Sequence, residues 1–149
     1  MTGEIKSGNP VTDVILQEFK SEAEKRNIHF QSDFYYPTGT NINAFDVSVI
    51  LNNALQNAME NVVNSETPHI SILSYHRNNA YMIEISNSFA GNLQWDEEHD
   101  LPVTSKEKPD SHGYGLSNIR IVAGKYSGDI AIDLKDDEFR LIIMLMMEW

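Results

Sequence analysis

The sequence predicts an α+β fold, a two-layer sandwich in which three main helices pack on one face of a mixed, largely antiparallel sheet. Three observations carry this. Apolar residues recur at helical spacing in three stretches, Val11 to Ala23, Val47 to Val62 and Leu116 to Ala123. Five segments read as strands: His29 to Tyr36, His69 to His76, Ala80 to Phe89, Ser127 to Leu134 and Glu138 to Met147. Their order is helix, strand, helix, strand, strand, loop, helix, strand, strand, with two direct hairpins, and that mix places helices over one side of an antiparallel sheet.

The totals bound the rest. With 149 residues, 1–149 is expected to be a single domain, burying about two-thirds of the surface its unfolded chain would expose. Cysteine is absent, which fits a reducing compartment and excludes disulfides, thiolate metal sites and cysteine nucleophiles. The longest apolar run, Leu141 to Met147, is far short of a membrane span, and the N-terminus lacks a signal-peptide core. A cytoplasmic chain without membrane contact is expected. Acidic residues outnumber basic ones 22 to 11, and the basic ones do not cluster, so no nucleic-acid partner is expected.

The first helix starts at Ser7-Gly8-Asn9-Pro10, because Asn9 can cap a helix whose first position is proline. Val11, Val14, Ile15, Phe19 and Ala23 give its apolar face, and Asn27 suits its C-terminal end. The strand from His29 closes at Pro37-Thr38-Gly39. Asp46 is the expected N-cap of the second helix, which runs to about Asn64 ahead of Thr67-Pro68. Arg77-Asn78-Asn79 joins the next two strands as a hairpin turn. Ala90 to Ser111 lacks periodicity, and a stretch of that length within a compact domain is expected to be a lid or a disordered insertion. The third helix ends near Gly124, and Asp136-Asp137 turns the chain into a last strand that is apolar on both faces.

Three features point to chemistry. Asn53 and Asn57 stand four apart on the second helix, in a run with Asn52, Gln56 and Asn61. Asparagine is a mediocre helix former, so the run reads either as a solvated polar face or as a ligand wall. In the strand from Ala80, Asn87 shares its parity with Tyr81, Ile83 and Ile85. That delivers an amide to the core side at the strand's end, or else starts the next loop. His112-Gly113-Tyr114-Gly115-Leu116 opens the third helix, where backbone N–H groups can converge on an anion, and Lys106 and Lys108 lie just upstream. A lone GxG is equally an ordinary turn. The acidic run Asp96 to Asp100 reads better as a solvated loop than as a metal cluster.

In this order the three features resemble the Bergerat ATP-binding fold shared by gyrase, the ninety-kilodalton heat-shock protein, histidine kinases and the mismatch-repair ATPases. The likeness covers nearly the whole chain and is closest to catalytic domains of sensor histidine kinases of the peptide-pheromone receptor type. It rests on Gly8-Asn9-Pro10, the N-box-like Leu51-Asn52-Asn53-Ala54-Leu55-Gln56-Asn57-Ala58, the strand end Ile85-Ser86-Asn87-Ser88, Thr104-Ser105-Lys106, and the HGxGLxNI run from His112 to Ile119. The resemblance implies ATP and Mg²⁺ as cofactors, with 90–112 as the ATP lid. It implies that Asn57 coordinates Mg²⁺ and that Asn53 lines the same pocket nearer the triphosphate. Asn87 would face adenine, while His112, Gly113, Tyr114, Gly115 and Leu116 would surround the phosphates, with Lys106 closing over them.

Two departures matter. Most of the superfamily carries aspartate in a D-x-G-x-G run where this chain has Asn87-Ser88-Phe89-Ala90-Gly91. An amide still pairs with adenine, but loses charge assistance worth about 1 kcal/mol, so weak nucleotide binding is expected. The hydrolysing members and the anti-sigma serine kinases also resemble one another in a glutamate base four residues before the metal-binding asparagine. Asn53 stands there, and an amide takes no proton near neutral pH. Glu60, one turn beyond Asn57, reads as a helix-surface carboxylate.

The resemblance therefore implies a histidine protein kinase module of a two-component system. Its partners would be a dimerisation and phosphoacceptor hairpin, and a response regulator, within a membrane-anchored parent. None of His29, His69, His76, His99 and His112 falls on an amphipathic helix, so no catalytic acceptor is expected within the chain, which should bind ATP without phosphorylating itself. The alternatives are an anti-sigma-type serine kinase and a nucleotide-free interaction module.

Overall fold

The computed structural model describes residues 4–62, 66–89, 94–96, 101–103, 115–135 and 137–148, the two short segments 94–96 and 101–103 by backbone alone. Three helices, α1 (Pro10–Lys25), α2 (Ala44–Asn61) and α3 (Gly115–Lys125), pack against a five-stranded sheet. Its strands are β1 (His29–Asp33), β2 (His69–Arg77), β3 (Ala80–Ser88), β6 (Asp129–Lys135) and β7 (Glu138–Met146), in the order β1-β2-β3-β7-β6. Only the β1–β2 pair is parallel; the other neighbours are antiparallel. The predicted mixed, largely antiparallel α+β sandwich is the fold observed.

α2 is the central helix. It packs on α1, α3 and β3, and buries Val47, Ile50, Leu51, Ala54, Leu55, Ala58 and Met59. Full burial of each larger aliphatic side chain contributes about 1.5–3 kcal/mol, whereas each asparagine costs at most about 0.7 kcal/mol of helix propensity. Packing therefore holds the helix despite its amides. α3 buries Leu116, Ile119, Val122 and Ala123, the stripe expected from its spacing. Across the sheet, Ile70, Ile72, Tyr81, Ile83, Ile85, Phe139, Leu141, Ile143 and Leu145 complete the core. The opposite face of β7 carries the half-buried Ile142, Met144 and Met146, so that strand is apolar on both sides, as its sequence suggests.

Four local expectations are corrected. Asn9 does cap α1, its side-chain oxygen accepting from Val11 N at 2.9 Å and Thr12 N at 3.3 Å. Ile15 and Ala23 are buried as expected and Phe19 packs against the core, yet Val11 and Val14 are 46% and 56% exposed, and Thr12 and Leu16 are buried in their place. The cause is a polar knot at the helix entrance. Ser7 N and Oγ donate to Asp13 Oδ1 at 2.5 and 2.6 Å, and Ser7 Oγ also meets Thr12 Oγ1, which turns Thr12 inward and rotates the valines out. The second correction concerns α2, which is capped by Asn43, whose Oδ1 accepts from Asp46 N at 2.8 Å; Asp46 lies inside the first turn.

The third is at the start of β6. The strand begins at Asp129, not Ser127, because Ser127 takes φ 54° and Gly128 passes so close to β7 that an added Cβ would fall 1.7 Å from Met144 O. Only glycine fits there. Fourth, within the stretch expected to lack structure, β4 (Gln94–Asp96) pairs antiparallel with β5 (Leu101–Val103). Three-residue strands are too short to leave a period in the sequence. The β2–β3 turn is as expected, with Asn78 at φ 56° between the paired Arg77 and Ala80.

Candidate functional site

The candidate site lies where α2 crosses β3 and where α3 begins. Along α2 the amides fall into two kinds. Asn52 Nδ2 donates to Ser48 O at 2.9 Å, Asn53 Nδ2 to Val49 O at 2.8 Å and Asn61 Nδ2 to Asn57 O at 2.9 Å, each reaching back one turn on its own helix. These three have found local partners. Asn57 is different, being only 4% exposed, with a buried Oδ1 that accepts no hydrogen bond among the described residues. Burying an amide oxygen without a partner costs about 1–3 kcal/mol, which marks Asn57 as a candidate ligand-binding group.

Asn87 reaches the same layer from the sheet. Its pairing with Ile70 and Phe139 puts it on the core side at the end of β3, where it is 1% exposed and donates through Nδ2 to Ser88 O at 2.9 Å. The predicted parity of β3 is thus the observed one. Ser88 Oγ then accepts from His69 N at 3.0 Å, tying this strand end to β2.

α3 supplies the third side. A Cβ built on Gly115 would stand 3.7 Å from Asn53 Oδ1, so the mouth of α3 and the polar face of α2 line one crevice. The N–H groups of a first helical turn have no partners within the helix, and α3 carries no acidic residue in that turn. An anion is the natural occupant of such an end. The Leu116 side chain is buried in the core, so its share in the site is confined to its main chain. Lys106, His112, Gly113 and Tyr114 lie outside the described residues, as does most of 90–112.

The neutral carboxamide oxygen of Asn57 suits a hard divalent cation, which takes oxygen ligands. Among the described residues no group of three or more histidines or carboxylates could hold a metal. A cation at Asn57 would therefore depend on ligand oxygens for its charge. Glu60, near Gln56 Nε2 at 3.5 Å, is half-buried on the helix surface. His29, His69 and His76 lie in strands, and His99 and His112 lie outside the described residues.

One polar network escaped the sequence reading, in which Asp46 is only a cap. Asp46, with its side chain 4% exposed, accepts from Tyr126 Oη at 2.5 Å and from Lys125 Nζ at 2.9 Å, and so ties the start of α2 to the end of α3. Burial pushes its carboxyl up, but the hydrogen bonds from Tyr126 and Lys125, the Lys125 charge and Asn43 outweigh burial and hold it below the usual carboxylate range. Burial and the bond to Asp46 push the Tyr126 phenol up. The available signal was a Lys-Tyr pair at a helix end, too common to interpret alone.

Residues 42–146 match the family model described as GHKL domain. Among solved structures, the chain is similar to a nucleotide-free form of the catalytic domain of histidine kinase ThkA, with TM-score 0.69 and 22% identity, covering 95% of this chain and 92% of that one. It is also similar to the Acinetobacter baumannii histidine kinase AdeS, with TM-score 0.67 and 15% identity over 93% of this chain and 64% of that one. For the mycobacterial sensor histidine kinase MprB the TM-score is 0.63 and the identity 15%, over 92% of this chain and 96% of that one. At such identities the likeness is one of fold. No curated protein matches the sequence.

Proposed function

This chain belongs to the GHKL domain family, and we propose that it is the ATP-binding catalytic domain of a sensor histidine kinase of the peptide-pheromone receptor type. The observation that carries this reading is the buried Asn57 Oδ1, unpartnered among the described residues, beside the polar face that Asn53 shares with the start of α3. In this reading Asn57 holds Mg²⁺, which when bound neutralises phosphate charge. The main-chain N–H groups of Gly115 and Leu116 receive the phosphates. Asn87 pairs with adenine, accepting from and donating to its edge. Lys106, His112, Gly113 and Tyr114 belong to the same proposal on sequence grounds, with 90–112 as a lid on a single domain spanning 1–149.

The reaction assigned is transfer of the γ-phosphate to a histidine on a dimerisation hairpin, and onward to a response regulator. The imidazole nitrogen is the nucleophile and ADP the leaving group, so positioning and electrostatics carry the chemistry. Asn53 fits this assignment, because an amide cannot act as the base that activates water or a serine hydroxyl. No described helix is long and apolar enough to cross a membrane, which fits a cytoplasmic module of an anchored parent. The test is to incubate the chain with γ-labelled ATP, Mg²⁺ and a separately supplied dimerisation hairpin. Label on the hairpin that is acid-labile and base-stable is expected. Acid-stable label on a protein serine would overturn the assignment in favour of a serine kinase.

A further inference from the structure

Among the described residues, two buried side-chain polar atoms lack a hydrogen-bond partner: Asn57 Oδ1 and Ser32 Oγ. The first belongs to the candidate nucleotide site. The second does not. Ser32 lies on the edge strand β1, in register with the core residue Ile72 of β2, and it lines a separate pocket of about 380 Å³ between the segment entering α1, α1 itself and β1. None of the residues lining this pocket is among those assigned to the nucleotide site. Its volume falls in the range of small-molecule sites, about 300–1,000 Å³.

The lining is amphipathic. Phe30 and Phe34 supply aromatic walls, while Lys6 and Lys20 bring two ammonium groups and Glu4 a carboxylate. Neither lysine takes part in an ion pair among the described residues. In a chain of net charge −11, two unpaired cations beside an unpartnered hydroxyl form a local exception. Buried hydroxyls are rarely left without a partner, and this one has a donor proton to offer. Two ammonium groups and one carboxylate leave the lining with one net positive charge, which matches a carboxylate monoanion better than a phosphate dianion.

We propose that this pocket binds a small monocarboxylate with an aromatic or branched apolar body. The carboxylate lies between Lys6 and Lys20 and accepts from the Ser32 hydroxyl, while the body rests on Phe30 and Phe34. The site is independent of nucleotide.

The test uses the whole chain, nucleotide-free and ¹⁵N-labelled, titrated with benzoate, benzyl alcohol or phenyl phosphate and followed through its amide resonances. Benzoate is expected to give saturable shifts centred on residues 4–6, 20 and 30–35, and to bind about fivefold or more tighter than either of the other probes. Lys6→Gln and Lys20→Gln are each expected to weaken benzoate about fivefold. Ser32→Ala should weaken it by a similar factor and yet raise the thermal midpoint of the free protein, because the unpartnered hydroxyl is gone. The proposal is overturned if millimolar benzoate gives no saturable shift, if benzyl alcohol binds as well, or if both lysine variants bind benzoate unchanged. Tighter binding of phenyl phosphate would overturn the monocarboxylate assignment, and a lowered midpoint in Ser32→Ala would show that the hydroxyl already has a partner.

Discussion

The two ends of α2 bury polar side chains to the same depth and treat them in opposite ways. Near its start, Asp46 is 3% exposed and its oxygens are taken up by Tyr126 and Lys125. Roughly three turns later, Asn57 is 4% exposed, and its Oδ1 has no hydrogen-bond partner among the described residues. Depth of burial does not separate them; completeness of the hydrogen bonding does. A closed network joins α2 to α3 and belongs to the fold. An open one costs stability in the free protein and is recovered only when something binds, as expected where function constrains sequence.

The contrast is broken most directly at Asp46. Replacing Asp46 with Ala strips the buried Tyr126 hydroxyl of its acceptor, and should lower the unfolding free energy by about 2–4 kcal/mol in a denaturant titration. Loss of the ion pair with Lys125 contributes little to this, because Lys125 is 57% exposed and screened by water. The same carboxylate sets a pH dependence. Its folded value lies below the ordinary carboxylate value of about 3.9. Its stabilisation is therefore complete above that value and is lost as pH falls through the lower folded one. Asp46→Asn should flatten this part of the acid-denaturation profile; an unchanged slope would contradict the assignment.

Smaller effects sharpen the comparison. Tyr126→Phe keeps the ring but removes both the bond to the charged Asp46 acceptor and the acceptor of Asn43 N, so a loss of about 1.5–3 kcal/mol is expected from the same titration. Asn87→Asp should keep Mg²⁺-dependent nucleotide binding and strengthen it by up to about 1 kcal/mol, read as a lower dissociation constant. Loss of binding by a folded Asn87→Asp protein would show that both donor and acceptor of the amide are needed.

Much of the fold was legible because packing enforces period. The stripes of α2 and α3 and the parity of β3, which carries Asn87 inward, follow from apolar spacing alone. What escaped was set by contacts distant in sequence or by single polar groups. Thr12 displaces two valines through its hydrogen bond to Ser7, Asp46 is claimed by a tyrosine just past the end of another helix, and Gly128 is dictated by the passing Met144 carbonyl. For the site, the spacing of Asn53 and Asn57 marked α2 as special, but could not tell which amide would be left open. Three of the asparagines satisfy themselves on their own helix, and only three-dimensional burial singles out Asn57. The Ser32 pocket had no sequence signal, since its walls come from the segment before α1, from α1 and from β1.

The central claim, that Asn57 is held open for a metal-bound nucleotide, is tested by calorimetric titration of a non-hydrolysable ATP analogue with and without Mg²⁺, into the wild type and Asn57→Ala, alongside the unfolding free energy of both. The expected result is weak, Mg²⁺-dependent binding by the wild type and none by the variant, whose stability stays within about 1 kcal/mol of the wild type or exceeds it. Binding that survives in Asn57→Ala, or a folded wild type that binds no nucleotide at millimolar concentration, would contradict it.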